Sequence, residues 1–265
     1  MNEQPGRRED LLPKVDAWVE SSGRALELRT ARALKLAGAD VVQMSRRYEG
    51  TTTGQRREMD VYAAFKWRAA PGVDAQLRVS VECKSSNDKP WVAFRDEWKV
   101  PPSELFESSF VVKHGSYVGL IEPLAELWKG LPPFLPRYAM THVVAAELGS
   151  KKPGDGRNTA HDAVRQAMSA ANALRSEYLA RQSGHPKRAH LVVATVVTAA
   201  PLFSCHLDAA GNVVTRPVES LAVWEPRDDG QPTLVFVLSE KSFPQFARDL
   251  ARCRDMAAAS ASANV

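Results

Sequence analysis

Two stretches of the chain alternate strictly between apolar and polar residues. Over residues 58–66, Met59, Val61, Ala63 and Phe65 alternate with Glu58, Asp60, Tyr62 and Lys66. Over residues 77–84, Leu77, Val79, Val81 and Cys83 alternate with Arg78, Ser80, Glu82 and Lys84. A period of two predicts strands with one apolar and one polar face, and Pro71-Gly72 marks the turn between them. Upstream, residues 10–19 predict a short helix with Pro13 in its first turn, and residues 22–37 a second helix that Gly38 stops. A strand follows over 40–44, and then a loop over 45–57 rich in Arg, Thr and Gly.

Residues 85–156 carry clustered prolines (Pro101-Pro102, Pro132-Pro133, Pro136) and read as a long insertion with short helices and a strand near 141–147. A long helix is expected over 159–181. Strands are expected over 190–198, 202–207, 213–217 and 233–238, and a helix over 243–253. Residues 1–255 then make one domain of α/β class with a mixed sheet, and the Ala/Ser-rich tail, 256–265, is expected to be disordered.

With 265 residues, 44% of them hydrophobic and 25% charged, the chain has ordinary globular composition and ample length for a core. The formal net charge of +4 permits a polyanionic partner without demanding one. Three scattered cysteines, Cys83, Cys205 and Cys253, give neither a disulfide framework nor zinc spacing. The charged N-terminal stretch has no apolar core of a signal peptide, and the longest apolar run, 191–203, is broken by Pro201 and too short to span a bilayer. The expectation is a soluble, cytoplasmic protein with no membrane partner.

The chemistry lies on the two alternating strands. Glu82 and Lys84, at i and i+2, project from the same face. If the strands pair as a meander, Asp60 comes beside Glu82. Two carboxylates in one pocket repel each other unless a cation sits between them, and hard oxygen donors suit Mg²⁺ or Mn²⁺. A lysine alongside can neutralise charge that develops on a phosphoryl group.

Met59-Asp60 followed by Glu82-Cys83-Lys84 resembles the PD-(D/E)XK nuclease superfamily. Glu27, in Leu26-Glu27-Leu28 on the second helix, takes the place of the glutamate that the family often carries ahead of its first strand. The order helix, three strands, helix, strand is similar to the family's restriction-endonuclease-like αβββαβ core. The long insertion would then follow the third core strand, with β additions at the C-terminal end. No proline precedes Asp60, a departure from the motif. The resemblance implies a Mg²⁺- or Mn²⁺-dependent nuclease that hydrolyses phosphodiesters, with DNA the expected partner. It also implies Asp60, Glu82, Glu27 and the Cys83 carbonyl as metal ligands, with Lys84 assisting the nucleophile. Cutting two strands needs two sites, which is compatible with a homodimer.

Arg46, Arg47, Arg56 and Arg57 flank Thr51, Thr52 and Thr53 just before the Asp60 strand, and Arg and hydroxyl side chains are natural phosphate contacts. A solvated basic turn accounts for the same residues. The resemblance further implies that a polar residue on the long helix, here Gln166, approaches the site and contacts nucleic acid, although an exposed helix residue is the blander reading. Glu97-Trp98-Lys99 is a second E-x-K, but it lacks an alternating strand around it. Cys205 and His206 are adjacent on a strand and point to opposite faces, which excludes a nucleophile–base pair. No P-loop, GxGxxG or G-x-S-x-G motif is present. Three other readings stay open. One is an antiparallel sheet whose solvated polar face carries cross-strand ion pairs. Another is a catalytically inactive nucleic-acid- or protein-binding module on the same fold. The last is an interaction protein whose Trp- and Pro-rich insertion is the working surface.

Overall fold

The structure, a computed structural model, describes residues 10–50, 55–70, 73–85, 89–95, 110–112, 140–145, 159–180, 188–226 and 232–263. Helix α1 (Leu12–Ser21) has Pro13 in its first turn, and α2 (Arg24–Leu36) follows after Gly23. Strands β1 (Val41–Glu49), β2 (Arg56–Ala70) and β3 (Val73–Lys84) form an antiparallel meander. Strands β4 (Trp91–Arg95), β5 (Phe110–Val112) and β6 (Met140–Ala145) precede helix α3 (Thr159–Ala180). Then come β7 (Arg188–Thr198), β8 (Leu202–Leu207), β9 (Val213–Val218), β10 (Ser220–Pro226), β11 (Pro232–Ser239) and α4 (Phe243–Ala263).

The fold is α/β with a mixed sheet. Its path runs β1-β2-β3-β7-β11-β10, and a single pair, Val223 with Met140, carries it into β6-β4-β8-β9; β5 lies beside β7. The β3–β7 and β7–β11 pairings are parallel, so the carboxyl ends of these strands share one edge of the molecule.

Both faces of the central sheet are covered. Val61, Ala63, Phe65, Leu77, Val79 and Val81 bury against Leu26, Ala31 and Leu34 of α2 and Phe246, Ala247 and Leu250 of α4. On the other face, Tyr62, Ala64, Val192 and Ala194 bury against Ala163, Ala167, Ala171 and Leu174 of α3. The alternation in β2 and β3 therefore does not mark a solvated face. Tyr62 and Ser80, expected on the polar side, are buried at 4% and 0% exposure, because α3 covers that side with small residues that let it approach closely.

Several boundaries differ from expectation. β1 continues to Glu49 where a loop was expected from Ser45, since its partner β2 already begins at Arg56 and supplies the ladder. β10 was not anticipated, and pairing with β11 over 220–226 places it. Helix α4 continues through Ala263, and Ala257 is fully buried, so the expected disordered tail is helical over 256–263. The stretch expected to be an insertion contributes β4, β5 and β6 to the sheet, and Trp91 is buried in the main core. The expectations that concern Thr51–Thr53, Pro71-Gly72, Glu97-Trp98-Lys99 and the proline clusters lie outside the described residues.

Candidate active site

The β2–β3 ladder ends at Val61 and Val81, one residue short of Asp60 and Glu82. Just there the alternation of β2 slips. Met59 packs with Tyr62 and Ala64 on the α3 side, whereas Val61, Ala63 and Phe65 fill the α2 side. Met59 and Val61, expected in phase, thus face opposite sides. On β1, Met44 pairs with Val61 and Arg46 with Met59, leaving Ser45 across from Asp60. Ser45 adopts φ 55°, a left-handed conformation that costs a non-glycine residue roughly 1 kcal/mol. With the ladder interrupted, the Cys83 backbone N–H donates to Asp60 Oδ2 at 2.7 Å.

Glu82 and Lys84 project together, as their spacing requires, and Lys84 Nζ lies 2.7 Å from Glu82 Oε1. Lys84 Nζ also donates to Gln166 Oε1 of α3 at 3.1 Å, so the helix glutamine does reach the site. Glu82 is only 9% exposed. Burial, followed by the neighbouring Asp60 carboxylate, pushes its pKa up to about 7, against the opposing pull of Lys84; Glu27 adds a further, smaller upward push. Asp60 is likewise raised by burial, with the Cys83 N–H and Lys84 pulling the other way. Cys83 turns to the α2 side, where its Sγ lies 3.7 Å from Thr30 Oγ1. Burial raises that thiol, which keeps it protonated and no nucleophile.

Glu27 stands in the first turn of α2, buried. Burial raises its pKa, and the hydrogen bond from Arg24 opposes the rise. What brings α2 to the end of β3 is Gly23. It has φ +82°, and a Cβ placed there would sit 2.9 Å from Ser85 Oγ. Glu27, Asp60, Glu82, Lys84 and Gln166 thus meet at the carboxyl end of β3, between α2 and α3.

The arginines expected to grip a backbone separate into two groups. Arg46 lies on the α3 side, 2.8 Å from Glu177 Oε2 and with its guanidinium 4.1 Å from the Tyr62 ring centre. Arg47, Arg56 and Arg57 are exposed on the β1–β2 hairpin, opposite Glu58, Glu49 and Tyr48 respectively. Three residues were not picked out from the sequence. Arg24 reaches Glu27, Ser45 and Glu58. Glu58 adds a further carboxylate to that corner. Tyr48, hydrogen-bonded to Ser169, is raised in pKa chiefly by burial, and the charges of Glu82 and Asp60 reach it. The i, i+3 spacing of Arg24 and Glu27 was the only available signal for the first of these.

Among the described residues, no group of three or more His, Cys, Asp or Glu side chains stands ready to enclose a metal ion. Asp60 and Glu82 each have one oxygen engaged, with the Cys83 N–H and with Lys84. A cleft of 640 Å³ opens alongside, lined by Thr198, Pro201, Phe203, Glu219, Glu240 and Lys241. It adjoins the site through Ala199, whose N–H donates to the Lys84 carbonyl at 3.0 Å. Its two glutamates against one lysine do not suit a phosphate chain. Among the described residues no helix is long and apolar enough to cross a membrane. No protein-family model matches the chain, and neither does any curated protein or solved structure.

Proposed function

We propose that the protein is a metal-dependent nuclease of the PD-(D/E)XK type, acting on DNA. The observation that carries this reading is the convergence of Glu27, Asp60 and Glu82, each raised in pKa by burial and the two glutamates further raised by Asp60, with Lys84 beside them. Support also comes from the element order α2, β1–β3, α3, β7, with β7 parallel to β3.

The donor set suits a hard divalent cation: oxygens only, crowded negative charge, and low exposure that makes the charge costly until it is neutralised. Asp60, Glu82, Glu27 and the Cys83 carbonyl would hold Mg²⁺ or Mn²⁺. When bound, such an ion supplies Lewis acidity toward a phosphate and lowers the pKa of water. The protein's own part is positional. Glu82 and Gln166 fix the Lys84 ammonium, which then donates to a phosphate oxygen as charge builds on it. The exposed Arg47, Arg56 and Arg57 supply sequence-independent attraction to the backbone.

A second reading has one observation in its favour: one oxygen each of Asp60 and Glu82 is already engaged within the protein, and no ready metal cage stands among the described residues. On that reading the chain is a catalytically inactive module that binds nucleic acid or protein. One experiment separates the two. Purified protein is incubated with plasmid and with single-stranded DNA in Mg²⁺, Mn²⁺ or EDTA, with Lys84→Ala alongside. Cleavage that needs the ion and disappears in Lys84→Ala supports the nuclease; binding without cleavage in every condition supports the module.

A further inference from the structure

Arg24 occupies an unfavourable place for a cation. It is the first residue of α2, at the helix end whose unpaired N–H groups carry partial positive charge. Helix stability therefore does not account for it, but the carboxylates in front of it do. Its Nη1 donates to Glu27 Oε2 at 2.6 Å and to Ser45 Oγ at 3.4 Å, and lies 3.9 Å from Glu58 Oε1. Ser45 is also the one non-glycine residue with positive φ among the described residues. Backbone strain of this kind persists where the surroundings enforce it, and it clusters at functional sites. Here it sits across from Asp60 with its hydroxyl on Arg24.

We propose that Arg24 is a resident counter-cation: its guanidinium holds Glu27 in place of a divalent ion, and an ion entering at Glu27 must displace it. The inference rests on the metal-dependent reading above and deepens it. The arginine is half exposed on a flexible stem, so displacement toward solvent needs no rearrangement of the core. Once released, its planar fork is suited to a phosphate oxygen pair, so the same side chain would exchange Glu27 for the substrate.

The test is Mn²⁺ binding to the full chain, followed through the loss of the free-ion electron paramagnetic resonance signal. Wild type, Arg24→Gln, Glu27→Gln, the double variant and Asp60→Asn are compared. Removing the competing cation is expected to tighten Mn²⁺ binding about fivefold, the weight of a part-exposed ion pair. The gain should vanish in the Glu27→Gln background, which a general structural role of Arg24 would not produce. Equal or weaker binding by Arg24→Gln, with Asp60→Asn still abolishing it, overturns this inference and leaves the nuclease reading standing. Absence of Mn²⁺ binding in both wild type and Arg24→Gln overturns the two together.

Discussion

Lys84 Nζ lies 2.7 Å from Glu82 Oε1, and the two side chains share one buried corner with Asp60. The lysine offsets only part of what burial and Asp60 impose on Glu82, so its carboxyl is raised to about 7. A carboxyl raised in the folded state binds more protons folded than unfolded. Its contribution to stability is therefore fully present below the ordinary glutamate range and is lost as pH rises through about 7. Glu82→Gln, which cannot ionise, should be more stable than wild type by about 1–3 kcal/mol near pH 8 and by far less near pH 5. Thermal unfolding at the two pH values checks this; a gain that does not grow with pH contradicts the assignment.

The same lysine donates a hydrogen bond to Gln166 Oε1, which holds it in place. Hydrogen bonds to charged groups are worth about 1.5–3 kcal/mol, so Gln166→Ala is expected to slow cleavage at least roughly tenfold. Lys84→Ala should slow it by about a hundredfold or more. Both variants should keep the wild-type circular dichroism spectrum. Single-turnover rates on plasmid measure the effect, and an unchanged rate in Lys84→Ala removes the lysine from the chemistry.

Gly23 seats α2 against the end of β3. Gly23→Ala is expected to destabilise by about 1–2 kcal/mol, because the positive φ disfavours any Cβ. Ser85 Oγ, the nearest atom, ends a short side chain that can turn away. Adding Ser85→Ala should therefore recover little of the loss. Denaturant unfolding of the single and double variants decides whether backbone conformation or crowding dominates.

Arg46 and the hairpin arginines should behave differently. Arg46→Ala removes an ion pair and a ring contact and should cost about 1 kcal/mol of stability with little change in the salt dependence of DNA binding. Replacing Arg47, Arg56 and Arg57 together by Ala should leave stability nearly unchanged. It should also flatten the slope of log affinity against log salt by up to about three. Fluorescence anisotropy on duplex DNA across a salt series distinguishes the two sets.

Much of this layout was legible in the residues. Period-two patterning located β2 and β3, and Gly38 closed α2 as its position implied. Glu82 and Lys84 share a face because spacing alone requires it. Three features were hidden for physical reasons. The slip at Asp60 leaves no mark in composition, since Met59 is as apolar as Val61 and either phase buries it. The cover that α3 lays over Tyr62 and Ser80 depends on tertiary packing, and a solvated face would show the same alternation. Apart from Glu27 on the same helix, the partners of Arg24, and all those named for Arg46, come from other elements, so their neighbours in the chain say nothing of them.

The pairing of β3 with β7 joins opposite halves of the chain. During synthesis the strand bearing Glu82 and Lys84 emerges with β2 on one flank and nothing on the other until β7 is made. An apolar edge left waiting in this way is a template for the wrong partner. A fragment ending before residue 188 would keep every acidic residue of the candidate centre and still be expected to aggregate. The half that bears these residues cannot be excised, and expression should favour conditions that slow translation or supply a holdase until the C-terminal strands arrive.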